Sequence, residues 1–120
     1  GSPTYGQWEG FELSDGNHGQ VYVPPGCLHG FLVTSPEAIV IYKVTDTYAP
    51  EGDFGVRFDD PEIGVEWPVP PGMIPILSSK DQAAPLLKDL PAQRVISYQD
   101  SLELSRSHGI DVSQWPAPVG

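Results

Sequence analysis

Proline and glycine punctuate this chain too densely for long regular elements. Fourteen prolines and thirteen glycines fall among its 120 residues. Each proline fixes φ and removes a backbone donor, so the usage points to short extended runs between tight turns. The best run is 38–45, where Val40, Ile41 and Val44 stand among β-branched neighbours. Weaker runs at 6–13, 20–23, 28–33 and 54–58 are broken by Ser14-Asp15-Gly16-Asn17 and by Pro24-Pro25-Gly26. On a pleated 38–45, Ala38, Val40, Tyr42 and Val44 share one face, and Tyr42 looks toward a lined interior. Prolines recur from 60 to 75, where Trp67 is expected to anchor an irregular crossing. Residues 79–88 have weak helical character, cut by Pro85. A helix is expected over 98–108, with Ser97 as N-cap, Asp100 three residues on and Gly109 as its stop. The pattern suits an all-β fold, a small antiparallel barrel or jelly roll with a short C-terminal helix.

At 39% hydrophobic and 18% charged residues the chain is too apolar to be disordered, and its length supports one domain. A formal charge of −10 argues against nucleic-acid binding, because a phosphate backbone would be repelled. No apolar run approaches the ~18 residues of a membrane helix, and no signal peptide is present. Cys27 is the single cysteine, which leaves no disulfide framework and points to a reducing cytoplasm. The chain opens on Gly1-Ser2 without methionine, as a cloning remnant or the cut end of a longer polypeptide does.

Chemistry concentrates in residues 20–51. His29 sits at a turn-to-strand junction with Gly26 and Gly30 beside it, so backbone can approach it closely. Tyr42 and Lys43 follow in the β-rich run. A tyrosine facing a cavity can act as a general acid toward a developing carbanion or enolate. It can equally pack its ring in a core with its hydroxyl on a carbonyl. Lys80-Asp81 is the second candidate: the carboxylate either orients an imidazole or simply occupies a helix N-terminus. Metal binding is not expected, since His18, His29 and His108 lack ligand spacing and Cys27 has no partner. Asp59, Asp60 and Glu62 read as a solvated acidic turn.

Five blocks in order, PTYGQW at 3–8, QVYVPPGCLHGFLV at 20–33, IYKVTDTYAPE at 41–51, DDPEIGVEWP at 59–68 and ILSSKDQAAP at 76–85, resemble the dTDP-4-dehydrorhamnose 3,5-epimerase family. The resemblance covers residues 3 to about 90. It implies a cupin-type jelly roll (a double-stranded β-helix), incomplete in this chain, that works without metal or other cofactor and usually as a homodimer. The implied reaction inverts C3 and C5 of a dTDP-4-keto-6-deoxy sugar in dTDP-rhamnose biosynthesis.

The same resemblance distributes roles. Tyr42 inherits that of general acid, and Asp81 that of orienting a base histidine. His29, Tyr48 and Lys80 become substrate-binding residues. The base itself lies in a block like RGLHFQ, N-terminal to everything in this chain, and none of the three histidines has that context. Residues 1–90 then correspond to the C-terminal portion of the epimerase-like domain and 91–120 to an extension. Alone, the chain is expected to be inactive and to pair with a second copy or with the missing half. Gly19 stands where the family commonly has arginine, and Cys27 where it commonly has an aromatic. The other reading, from a different class, is a non-catalytic cupin-like domain that binds sugar nucleotide or mediates assembly.

Overall fold

Each α-helix of the chain begins at a serine that closes a reciprocal cap. In the computed structural model, which describes residues 1–119, the first helix, α1, spans Ser79–Gln82 and the second, α2, spans Tyr98–Ser107. Ser97 Oγ accepts the Asp100 N–H at 3.0 Å and donates to Asp100 Oδ2 at 2.7 Å. Ser78 does the same for Asp81 at 3.1 and 2.6 Å. One otherwise orphaned backbone N–H is satisfied at each entry, and the aspartate carboxylate accepts the serine hydroxyl in return. α1 ends after one turn, because Pro85 disfavours helical backbone at Ala84. α2 ends in a Schellman arrangement. Ile110 N–H donates to the Ser105 carbonyl at 3.0 Å and Gly109 N–H to that of Arg106 at 2.9 Å, with Gly109 at φ +77°. Single 3-10 turns occur at Pro50–Gly52, Leu87–Asp89 and Ala92–Arg94.

No β-strand is present among the described residues, which overturns the all-β, cupin-type jelly roll expected from the sequence. The physical reason lies in the backbone partners. Outside the helices, hydrogen bonds run mostly between groups two to five positions apart. Arg57 N–H to the Pro85 carbonyl (2.9 Å) and Val119 N–H to the Gly1 carbonyl (2.8 Å) join distant segments, yet neither is continued into a ladder. Alternation and β-branching favour an extended chain, but a strand also requires a neighbour that takes its N–H and C=O groups. The run 38–45 has no such neighbour, and Ile39, Val40, Ile41 and Val44 are all exposed.

The chain divides into two compact units, residues 1–29 with 91–120, and residues 30–90. In the first, α2 supplies most of the buried surface: Ser101, Leu102 and Ser105 form one stripe, and Val112 beyond the helix joins them. Tyr98 Oη donates to the Pro116 carbonyl at 2.9 Å and ties the tail to the helix.

The second unit is organised by a buried acid. Asp60 is 2% exposed, which corrects its reading as a solvated turn. Its Oδ1 accepts from Glu62 N–H (2.8 Å) and Ile63 N–H (3.3 Å), and its Oδ2 from Leu87 N–H at 2.7 Å. The Leu87 amide first, with the other two, holds this carboxyl below the usual carboxylate range. Trp67 does anchor its crossing, donating from Nε1 to the Phe58 carbonyl at 2.7 Å and tilting against the Phe58 ring at 6.5 Å. Among the described residues, no helix is long and apolar enough to cross a membrane.

Candidate functional site

The 3-10 turn at Pro50–Gly52 folds the chain back on itself and carries Asp53 to Tyr48. Ala49 enters extended, Pro50 presets φ for the turn, and Asp53 N–H closes it on the Pro50 carbonyl at 3.2 Å. The Tyr48 hydroxyl then donates to Asp53 Oδ2 at 3.1 Å. Lys80, the second residue of α1, places its ammonium on Asp53 Oδ1. One carboxylate thus bridges a phenol and an ammonium from two separate segments of the same unit. The Lys80 ammonium, and next the Tyr48 hydroxyl, hold the Asp53 carboxyl below its ordinary value, so it is an anion at neutral pH. Both ends of the ion pair remain partly open to solvent. A half-hydrated ammonium beside a phenol can donate to phosphate, hydroxyl or ketone oxygens of a polar ligand.

The other sequence-predicted residues are placed as follows. Asp81 is exposed, and its carboxylate accepts the Ser78 hydroxyl of the α1 cap. Tyr42 is 76% exposed. It was expected to face a lined interior, but without a strand over 38–45 there is no pleat to give it an inner side. His29 is exposed and closes the first unit, whereas Tyr42, Tyr48, Lys80 and Asp81 belong to the second. The structure therefore brings Tyr48 and Lys80 together through Asp53. Among the described residues, no side-chain hydrogen bond or ion pair joins Tyr42 or Asp81 to that cluster. No group of three or more His, Cys, Asp or Glu side chains suited to a metal ion occurs among the described residues.

A groove of about 640 Å³ lies elsewhere in the second unit, between 31–36 and 68–76. Phe31, Val33, Met73, Ile74 and Ile76 line it with four prolines, and no sequence-predicted site residue does. Its walls are mainly apolar, in contrast to the charged Tyr48–Asp53–Lys80 cluster. Sequence reasoning missed Asp53. The available signal was the acid that follows Pro50-Glu51-Gly52, since such a turn returns the chain toward the residue that precedes it.

Comparison with known proteins supplies the context for this cluster. The sequence model of dTDP-4-dehydrorhamnose 3,5-epimerase matches residues 1–89. A dTDP-4-dehydrorhamnose 3,5-epimerase of Sinorhizobium fredii is 45% identical over 99 residues, 82% of this chain and 48% of the relative. One from Methanothermobacter thermautotrophicus is 46% identical over 90 residues, covering 75% of this chain and 49% of its own. That of Salmonella typhimurium is 45% identical over 86 residues, 72% and 46% respectively. No solved structure matches the chain. The chain belongs to the dTDP-4-dehydrorhamnose 3,5-epimerase family. It spans about half the length of the curated relatives it matches.

Proposed function

We propose that the protein of which these residues form part is an isomerase that epimerises C3 and C5 of a dTDP-4-keto-6-deoxy sugar, a step of dTDP-rhamnose formation. The match of the family over residues 1–89 carries this reading. Both centres lie α to the ketone, so their protons leave once the resulting enolate is stabilised. A base removes the proton from one face and an acid returns one to the other, which inverts the centre. Tyr42 acts as that acid; its exposed phenol is free to meet a ligand. Asp81 orients the base histidine, which the resemblance places outside these residues. His29, Tyr48 and Lys80 contact the sugar nucleotide, with Lys80 donating to its oxygens and Tyr48 offering a ring for stacking. The working form is a homodimer or an assembly with the remaining half of the relatives' length, in the cytoplasm, where a lone Cys27 stays reduced.

The test is exchange of C3 and C5 protons of dTDP-4-keto-6-deoxyglucose in deuterated water. A longer polypeptide carrying residues 1–120 is expected to exchange and invert both centres, and Tyr42→Phe to slow inversion by roughly 10²–10⁴-fold. An unchanged rate removes Tyr42 from the acid role. A second reading is favoured by the context of His18, His29 and His108, none of which resembles the base block. On that reading residues 1–120 form a sugar-nucleotide-binding or assembly module. The isolated chain, run in the same exchange assay, is expected to bind dTDP by calorimetry without exchanging any proton.

A further inference from the structure

Residues 91–120 lie beyond the 1–89 matched by the family, yet they form one compact unit with residues 1–29. The contact between them is specific. Ser101, 5% exposed on α2, donates its hydroxyl to the Pro25 carbonyl, 76 positions away in the chain. Pro25 belongs to the turn Pro24-Pro25-Gly26-Cys27, which closes by Cys27 N–H on the Pro24 carbonyl at 3.2 Å. Gly26 in that turn has φ +89°, which L side chains rarely adopt. A Cβ there would also lie 3.0 Å from Ile96 Cγ2 and 3.2 Å from Ser101 Oγ. The backbone of Gly26 therefore lies against the side chains of Ile96 and Ser101, with room for none of its own. His29 follows two residues after Cys27.

We propose that α2 is a brace for the turn that precedes His29, and that Ser101 is a positioning residue that acts through the Pro25 carbonyl to fix His29. This rests on the reading of His29 as a sugar contact. Two neighbouring prolines leave the turn without amides at 24 and 25, so it has few backbone donors of its own with which to lock. The Ser101 hydroxyl supplies a donor from outside, to the carbonyl of the half-buried Pro25. Loss of that hydrogen bond leaves the carbonyl unpaired and the turn free to shift. His29 stands only four residues beyond Pro25 in the chain.

The test has two parts. In the longer, active polypeptide, Ser101→Ala is expected to raise KM for dTDP-4-keto-6-deoxyglucose about fivefold with kcat within about twofold, the loss of one hydrogen bond acting on ligand placement. In a His29→Ala background the same substitution is expected to add nothing further. Equal KM for Ser101→Ala and wild type, with KM raised in His29→Ala, overturns the brace and leaves His29 as a contact. An unaltered KM in His29→Ala overturns the His29 reading and the brace with it. In the 120-residue chain, Ser101→Ala is expected to move the His29 imidazole resonances while those of His18 stay in place. Collapse of all histidine resonances to one position would make Ser101 a residue that merely holds the fold, and would also overturn the proposal.

Discussion

Asp60 is the residue whose chemistry is most sharply fixed by its surroundings. Three backbone amides point at one buried carboxylate, and the Leu87 amide is the largest cause of its lowered pKa. The sign follows from linkage. A carboxyl whose folded pKa lies below its unfolded value of about 4 favours the fold above that value. The contribution is lost as pH falls through the lower, folded value. Asp60→Asn cannot accept on both sides, so its melting temperature at pH 7 is expected to fall by several degrees. Its stability should also decline less steeply than wild type between pH 4 and 2. Asp53, Asp59 and Asp111 are lowered in the same direction, so the acid limb becomes shallower without vanishing. Thermal melts across that range check this, and identical melting temperatures at pH 7 would remove Asp60 from its place at the centre of its unit. Only the turn at Asp59, Asp60 and Glu62 was legible: its acids read as solvated, not as acceptors of the turn's own amides. The Leu87 amide arrives from 27 positions away, and no local pattern reveals it. The same distinction separates the residues of the candidate site. Tyr48 and Lys80 were reached through resemblance, but their common partner Asp53 depends on how a 3-10 turn and α1 meet.

Among the elements, α2 was readable because its signals are local. Ser97, Asp100 and Gly109 each act within one turn of the helix end. The extended runs were not readable in this way, since their fate depends on neighbours far along the chain. Gly109 allows a clean measurement of how much a helix end contributes. An added Cβ there meets nothing within 4 Å, so substitution tests only the cost of φ +77°. Gly109→Ala is expected to destabilise the chain by about 1 kcal/mol, through the strain of a left-handed residue that carries a Cβ. That corresponds to roughly 4 °C in melting temperature for a chain of this size. Gly109→Asn should lose less, because Asn tolerates this region better. Calorimetry of the three forms checks the order. Equal melting temperatures would show that the Schellman end is dispensable to the packing of Ser101, Leu102 and Ser105.

At the scale of the whole molecule, the described residues bury few large apolar side chains. Leu102 and Val112 are the buried hydrophobics, whereas Ile39, Ile41, Ile74 and Ile76 stand almost wholly in water. Apolar exposure of this kind is unfavourable by about 25 cal/mol per Å² relative to burial, and extended backbone without a ladder offers free donors and acceptors beside it. Both features drive association. The chain also covers only about half the length of the curated relatives it matches. We therefore expect residues 1–120, studied alone, to self-associate in a concentration-dependent way at micromolar levels, as sedimentation velocity would register. The formal charge of −10 opposes close approach of two copies. Raising the salt concentration should therefore strengthen self-association if apolar surface drives it, whereas pairing through opposite charges would weaken. A monodisperse monomer at micromolar concentration, unchanged by salt, would mean that the exposed isoleucines are covered within a single chain in solution.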